Sequence, residues 1–301
     1  MQKEWLHYNL YVEDIEMLDA VVDMVVRPAC EGLQRSIQIH RWFFIRYLEF
    51  SGAHVRLRFL IKLTDLESAM MMLEQLFADL MPQVKSMNIQ PGKRLIPIQV
   101  SPSLQGNKET RFELSVYEPE LEKYGGKEGL AYSEGLFQLS SEISLHVTHA
   151  MLRGEMNRYY YGLKLLDRVL HRVHADRAGR VSFLGYYLNY WTGSEHSSYS
   201  REYRDKLASS ARKRSAIVAD ILKDQRLEYM LDEYADYTYY VLEQLRQLKL
   251  SQGSDHFLFH YTHMMNNRLG IWPIEEAYLS ALLMASYEEL DEVRYVEGGA
   301  V

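Results

Sequence analysis

The sequence predicts an α+β fold, with a ferredoxin-like, mainly antiparallel sheet in the N-terminal part and a helical half after it. Two observations lead to this class. Up to residue 126, strand-like alternation and helix-like periodicity follow one another as β-α-β-β-α-β with one extra strand. Beyond Gly125-Gly126, only helical periodicity remains. We therefore expect a single domain over 1–301, with a sheet-containing part at 1–126 and a mainly helical part at 127–301.

The strands of the first part are predicted from alternating apolar residues and from β-branched and aromatic content. They cover residues 6–12, 37–50, 54–63, 95–100 and 111–117. A turn at Ser51-Gly52-Ala53 joins the second and third strands in a hairpin. Asp14 is expected to cap a helix that runs to about residue 33, with Pro28 kinking it or ending it early. A second helix is expected at about 66–80.

Helical periodicity in the second part predicts six helices without an internal repeat. Their approximate ranges are 128–152, 157–174, 200–222, 225–250, 254–269 and 274–289. The linkers between them are short, which favours one compact unit over two independent domains.

Composition excludes several classes of protein. The chain has 301 residues, a net charge of −7 and one cysteine, Cys30. An acidic chain is a poor general nucleic-acid binder, and a lone cysteine excludes disulfides within the chain and cysteine-based zinc clusters. No apolar run reaches the length of a membrane span and the first residues carry no apolar signal region, so we expect a soluble cytoplasmic protein without membrane contact.

Motifs for common cofactors and nucleophiles are missing from the sequence. There is no GxGxxG, Walker, GxSxG or HExxH pattern. His256, His260 and His263 have helical spacing, but no convincing carboxylate accompanies them, so packing is favoured over a metal site. We therefore expect neither a cofactor nor a metal.

Charged residues at three places suggest a site. Arg56 and Arg58 are two apart on a predicted strand, so both guanidinium groups project from one face, where they suit a carboxylate or amide; a solvated strand face is the alternative. Glu120 and Lys123 precede Gly125-Gly126 and could face the same cleft, or form an ordinary charged connection. His263 near the end of a helix is the first choice for proton transfer, although a helical histidine satisfied by its neighbours is the alternative.

Aromatic residues are concentrated between residues 159 and 203, where Tyr187 and Trp191 lie. Such rings could stack on a flat, ring-bearing ligand. A helical core rich in tyrosine explains the same residues equally well, and the sequence leaves both interpretations open.

Together these segments resemble a known family. FFIRY at 43–47, HVRLR at 54–58, YEPELEKYGG at 117–126, EGLFQLSSE at 134–142 and HMMNNRLG at 263–270 follow Trp5 and Tyr8 in this order. The combination resembles the thiopeptide-type bacteriocin biosynthesis family, which corresponds to the C-terminal elimination domain of lantibiotic dehydratases. The resemblance implies an elimination-domain-like fold across nearly the whole chain.

The resemblance implies two activities of one family. Elimination domains remove glutamate from glutamylated Ser or Thr and leave dehydroalanine or dehydrobutyrine. Stand-alone pyridine synthases join two dehydroalanines by a formal [4+2] cycloaddition, then release water and the leader peptide. We expect the second activity and keep the glutamate-eliminating lyase as the alternative, with a non-catalytic leader-binding partner as a third reading. The expected partners are a ribosomally made precursor peptide and other biosynthetic enzymes, and a homodimer stays open.

The family pattern also implies a set of site residues. An arginine pair, an acid and an arginine before YGG, and a histidine in H-M-x-x-N-R would correspond to Arg56, Arg58, Glu120, Lys123 and His263. Lys123 departs from that pattern, because lysine cannot form a bidentate fork on a carboxylate. The expected catalytic residues are His263, Arg56 and Tyr261. The expected substrate-binding residues are Arg58, Arg46, Glu120, Lys123, Asn267, Arg268, Tyr187 and Trp191.

Overall fold

The computed structural model describes residues 2–87, 93–97, 109–193, 196–224 and 228–298, without the side chains of 289–298. The chain forms two compact units. The first comprises Met1–Met156 with Asn267–Gly270, and the second comprises Asn157–Asn266 with Ile271–Val301. The one-domain organisation stays a prediction, because compactness alone does not decide whether two units fold independently.

The first unit is built on a four-stranded sheet of order β2-β3-β1-β4. Its strands are β1 (Lys3–Val12), β2 (Arg41–Glu49), β3 (Gly52–Lys62) and β4 (Arg111–Ser115). All neighbouring strands are antiparallel. Together with the two helical crossovers, this order is the ferredoxin-like arrangement, and the predicted fold class is confirmed.

Two helical segments cover one face of this sheet. Helix α1 spans residues 15–34 and helix α2 spans Leu66–Ser86. Asp14 caps α1 as predicted, because its carboxylate accepts from the backbone N–H of Glu16. Alternate strand residues pack with both helices in a continuous core: Leu6, Tyr8, Leu10, Trp42, Phe44, Val55, Leu57, Phe59, Val21, Val25, Leu73 and Phe77. The Arg56 and Arg58 side chains therefore lie on the opposite face.

Two predicted details differ from the structure. Helix α1 continues through Pro28, because a π-helical turn at Val22–Val26 precedes the proline and accommodates its missing N–H. No strand is present at residues 95–97, and residues 98–100 of that predicted strand lie outside the described residues.

The second half of the chain is helical, as predicted. The helices are α3 (Gly126–Leu152), α4 (Arg158–Val173), α5 (Arg177–Thr192), α6 (Ser198–Arg212), α7 (Ser215–Lys223), α8 (Glu228–Gln247), α9 (Ser254–Leu269) and α10 (Pro273–Gly298). Helix α3 belongs to the first unit and packs on β2. In the second unit, α10 packs against α4, α5, α6 and α7.

Helix α5 was not predicted, and the predicted helix at 200–222 is two helices. The side chain of Asp176 caps α5 by accepting from the N–H of Gly179. The break between α6 and α7 falls at residues 213–214, two basic residues without a glycine or proline signal.

Candidate functional site

The second unit contains a histidine held by a buried carboxylate. Nδ1 of His263 on α9 lies 2.8 Å from Oε1 of Glu276 on α10. Glu276 is completely buried, whereas about a fifth of the His263 side chain is exposed (21%). Because an ionised carboxylate only accepts, Nδ1 carries a hydrogen, and Nε2 is left as the nitrogen for proton transfer. A fixed tautomer of this kind is what a general acid–base residue requires.

The second oxygen of Glu276 is also held. The hydroxyl of Tyr187 on α5 donates to Oε2, and Nδ2 of Asn266 donates to the same atom at 3.2 Å. Burial and the charge of Glu276 raise the pKa of Tyr187, so this hydroxyl keeps its proton and remains a donor. The carboxylate that orients His263 is thereby fixed by two further side chains.

Aromatic rings border His263. The ring of Trp191 on α5 lies 4.8 Å from the imidazole and stacks on Phe259 at 5.8 Å. Nε1 of Trp191 is buried and lies close to the Tyr187 hydroxyl. Tyr186 and Tyr190 on the same helix are more than half exposed. Flat apolar surfaces therefore accompany the oriented histidine.

Tyr261 does not join this group. Residues 261 and 263 are about 200° apart around a helix, so they project from opposite sides. Tyr261 is buried, and its carbonyl oxygen accepts from the hydroxyl of Tyr234 at 3.4 Å. Tyr261 therefore projects away from His263.

The predicted arginine pair lies on β3 in the first unit, whereas His263 belongs to the second. Arg56 lies flat on the Tyr47 ring at 3.5 Å, and its Nη2 is 3.3 Å from Glu49. Arg58 lies over the Tyr117 ring at 4.7 Å. Burial lowers the pKa of Arg58 to about 10, which leaves it cationic at neutral pH.

The segment before Gly125-Gly126 lies near Arg58, whose guanidinium group is over the ring of Tyr117. The charge of Glu120 acts on the Arg58 guanidinium. Nζ of Lys123 lies 3.1 Å from Oε2 of Glu120, so the lysine is engaged by the neighbouring acid. Gly125 and Gly126 have φ values of 80° and 77°, the left-handed conformation expected for this pair.

Three predicted substrate-binding residues instead hold the first unit together. Both amide atoms of Asn267 pair with the backbone of Arg46, at 2.9 and 2.8 Å. Arg46 is buried and forms an ion pair with Asp19 at 2.6 Å. Nε of the buried Arg268 donates to the carbonyl of Phe44 at 2.8 Å. These contacts tie the segment Asn267–Gly270 to β2, which is a structural role.

Sequence reasoning missed the partners of His263. Glu276 follows Pro273 in the first turn of a helix, where an acid ordinarily complements the helix dipole. Nothing in the local pattern shows that this acid is turned inward. Asn266 and Asn267 are adjacent in the same motif, but Asn266 belongs to the second unit and Asn267 to the first.

Two buried histidines, on the face of the sheet that carries Arg56 and Arg58, make the free energy of unfolding depend on pH. Burial, above all, lowers the pKa of His7 and of His54 from 6.5 to about 4. Below pH 6.5 the unfolded chain therefore binds protons that the folded chain does not, and stability falls as the pH approaches 4. Lowering the pH from 7 to 5 is expected to cost about 2 kcal/mol for each ring.

Urea unfolding at both pH values checks this expectation. In a His7→Asn variant, the free energy of unfolding is expected to fall less between pH 7 and pH 5, by the contribution of one histidine. An identical loss in the variant and the wild type would contradict the assignment of a neutral, buried His7.

The described residues contain neither a membrane-length apolar helix nor a group of three or more His, Cys, Asp or Glu placed to hold a metal ion. No protein of curated function matches this sequence.

The fold is similar to solved structures of biosynthetic proteins. The tRNA-dependent lantibiotic dehydratase MibB from Microbispora sp. 107891 aligns with 97% of this chain at 17% identity and a TM-score of 0.62, and the chain spans 28% of MibB. The pyridine synthase TbtD from thiomuracin biosynthesis aligns with 96% of this chain and 99% of its own at 12% identity, with a TM-score of 0.71. TsrL aligns with 96% of this chain and 95% of its own at 12% identity and a TM-score of 0.62.

The family itself follows from the sequence match. The family described as the C-terminal part of the lantibiotic biosynthesis dehydratases matches residues 5–287, nearly the whole chain. This match confirms the resemblance that the FFIRY, HVRLR, YGG and HMMNNRLG segments predict. The chain belongs to the lantibiotic biosynthesis dehydratase C-terminal family.

Proposed function

We propose that this protein is a pyridine synthase that tailors a ribosomally made peptide. The substrate carries two dehydroalanines, one of which reacts as the imidic tautomer of its amide. Two new bonds between the partners close a six-membered nitrogen ring, and loss of water and of the leader peptide as an amide makes the ring aromatic. The sequence of steps is redox-neutral, so no oxidant or reductant has to be supplied.

The observation that carries the proposal is the oriented pair of His263 and Glu276. Tautomerisation moves a proton from the amide nitrogen to the amide oxygen. Nε2 of His263 takes the first proton and returns one to the oxygen, while Glu276 holds the ring by Nδ1–H. Holding both alkenes at reacting distance supplies the rest of the rate enhancement.

The aromatic border of His263 supports a ring-bearing substrate. Trp191, Phe259 and the exposed Tyr190 offer faces on which azole rings of a modified peptide stack. The indole ring of Trp191 lies beside the His263 imidazole and adds a further ring face next to the proton acceptor.

The contacts of Lys123 favour cycloaddition over glutamate elimination. A departing glutamate needs planar, bidentate recognition of its carboxylate, which lysine does not provide. Lys123 also forms an ion pair with Glu120. The negative charge of Glu120 would repel the carboxylate of a substrate glutamate. The likeness to the pyridine synthase TbtD over nearly the full length of both chains supports the same choice.

Glutamate elimination is the second candidate, and one observation favours it. Arg56 and Arg58 project from the same face of β3, as carboxylate recognition requires. In this reading the arginine pair holds the glutamyl carboxylate. A protein that only binds the leader peptide is the third reading, and it requires that His263 contribute nothing to turnover.

Mass spectrometry of two matched peptides separates these functions. One peptide carries two dehydroalanines and several thiazoles, and the other carries glutamylated Ser in the same context. Loss of water together with the leader from the first peptide is the expected result. Loss of glutamate from the second peptide alone would replace the proposal with the lyase, and binding of both without turnover would favour the non-catalytic reading.

Glu276→Gln tests the orienting role of the carboxylate. The substitution keeps the size of the side chain and removes the charge that holds Nδ1–H, so kcat is expected to fall about a hundredfold. Glu275→Gln is the matched control, because Glu275 is equally buried in the same helical turn but accepts from the Tyr159 hydroxyl and from the Trp272 N–H. Equal effects of both substitutions on kcat would show that the loss is structural.

A further inference from the structure

The last turn of α5 is held by an arginine of the following helix. Nη1 of Arg204 on α6 donates to Oγ1 of Thr192 at 3.2 Å and to the carbonyl oxygen of Gly193 at 2.9 Å. The hydroxyl of Thr192 in turn donates to the carbonyl of Leu188, one turn earlier, at 2.8 Å. The last carbonyl groups of a helix have no partner within it, and a cation at this end also interacts favourably with the helix dipole. Arg204 therefore stabilises the turn of α5 that would fray first.

Helix α6 lies directly against this end of α5. Gly193 ends α5 with a φ of 93°, a backbone conformation that favours glycine. A Cβ atom at Gly193 would lie 3.0 Å from Oγ of Ser200, which is buried at the beginning of α6. Because the two helices approach so closely here, Arg204, one turn further along α6, reaches the end of α5.

Trp191 belongs to the turn that Arg204 holds. Its ring lies 4.8 Å from the His263 imidazole, 5.8 Å from the Phe259 ring and 4.8 Å from the Tyr190 ring. The backbone of this turn carries the indole, so a frayed turn moves the ring away from His263 and Phe259. The place of the indole therefore depends on the contacts of Arg204 as well as on ring packing.

We propose that Arg204 is a positioning residue that sets the preference of this site for ring-bearing peptides. It acts through Thr192 and Gly193 on the Trp191 ring, on which an azole of the substrate stacks. The inference rests on the proposed function in one respect, that the substrate carries azole rings.

Binding of two matched peptides is the direct test. One probe carries several thiazoles, and the other has alanine in place of every thiazole. Both have serine in place of the dehydroalanines, so neither is converted, and both are labelled with fluorescein and followed by anisotropy. The wild type is expected to bind the thiazole probe about fivefold more tightly, a difference typical of one aromatic contact.

Arg204→Met is expected to abolish most of this preference and to leave the affinity for the alanine probe unchanged. Arg204→Lys is expected to recover part of the preference, because an ammonium group keeps the charge and a donor at this position. Thr192→Val removes one acceptor of Arg204 and is expected to lower the preference less than Arg204→Met does. Arg201→Met, an exposed arginine on the same helix, is the matched control and is expected to keep the wild-type preference.

A double-mutant cycle with Trp191→Ala identifies the ring through which Arg204 acts. Trp191→Ala is expected to abolish the preference, and Arg204→Met is expected to have no further effect in that background. Equal weakening of both probes by Arg204→Met would show a purely structural role and overturn the proposal. An unchanged preference in Arg204→Met, or a wild type without any preference, would overturn it as well.

The probes separate this inference from the proposed function, because their binding is measured without ring formation. A preference that depends on Arg204, in a protein that forms no pyridine from the dehydroalanine peptide, would retain the positioning role and reject the pyridine synthase. Pyridine formation by a protein whose preference does not depend on Arg204 would do the reverse.

Discussion

Replacing His263 with alanine is expected to lower the rate of pyridine formation by two to four orders of magnitude while the peptide still binds. That range is what a positioned acid–base residue contributes. The loss is expected in kcat, because His263 interacts with the transferred proton in the transition state and contributes little to binding of the substrate. Product formation followed by mass spectrometry at saturating peptide, with affinity measured separately by anisotropy, separates the two quantities.

His256→Ala is the matched control for this experiment. His256 lies on the same helix and is exposed, and its ring contacts Phe257 and His260. Its removal is expected to leave kcat within a factor of about two, as for other surface substitutions. A His263→Ala protein that forms the ring at the wild-type rate would exclude proton transfer by His263.

Arg46→Met is expected to reduce the free energy of unfolding by about 3–5 kcal/mol. The substitution leaves Asp19 buried without its cation and removes the donor to the Arg268 carbonyl. The effect is therefore expected in stability, whereas the family motif FFIRY had placed Arg46 among the substrate-binding residues. Urea unfolding monitored by far-ultraviolet circular dichroism measures the difference.

Arg41→Met supplies the comparison on the same strand. Arg41 is partly exposed, and the substitution is expected to change stability by less than about 0.5 kcal/mol. An Arg46→Met protein with an unchanged unfolding midpoint and weakened peptide binding would return Arg46 to the substrate-binding set.

Most of the fold could be predicted from the sequence, because the patterns that define its strands and helices are local. Strand alternation and helical periodicity are read within about ten residues, and the order of the elements limits the possible sheet. Helix α5 was missed because Gly179 and Gly185 interrupt an aromatic stretch, although Asp176 three residues before Gly179 is a capping signal. The break within the predicted helix at 200–222 could not be predicted, because residues 213–214 are neither glycine nor proline.

The site was only partly accessible, because its contacts join residues far apart in the chain. His263, Tyr187 and Trp191 were predicted separately, from a motif and from aromatic content, and the structure brings them together. Glu276 looks like an ordinary residue of a helix N-terminus, and its inward orientation depends on Tyr187, 89 positions away. A local pattern likewise cannot separate Arg46, which serves packing, from Arg58, whose Nε stays unpaired.

Oxygen labelling tests the central claim most directly. The substrate is a peptide with two dehydroalanines that carries oxygen-18 in the amide carbonyl of the reacting diene. It is incubated with the protein, and the mass of the product is measured by mass spectrometry. If the ring forms through the imidic tautomer, the labelled oxygen leaves as water and the pyridine product carries no label. A product that retains the label, or a peptide that is bound but not converted, would contradict the account.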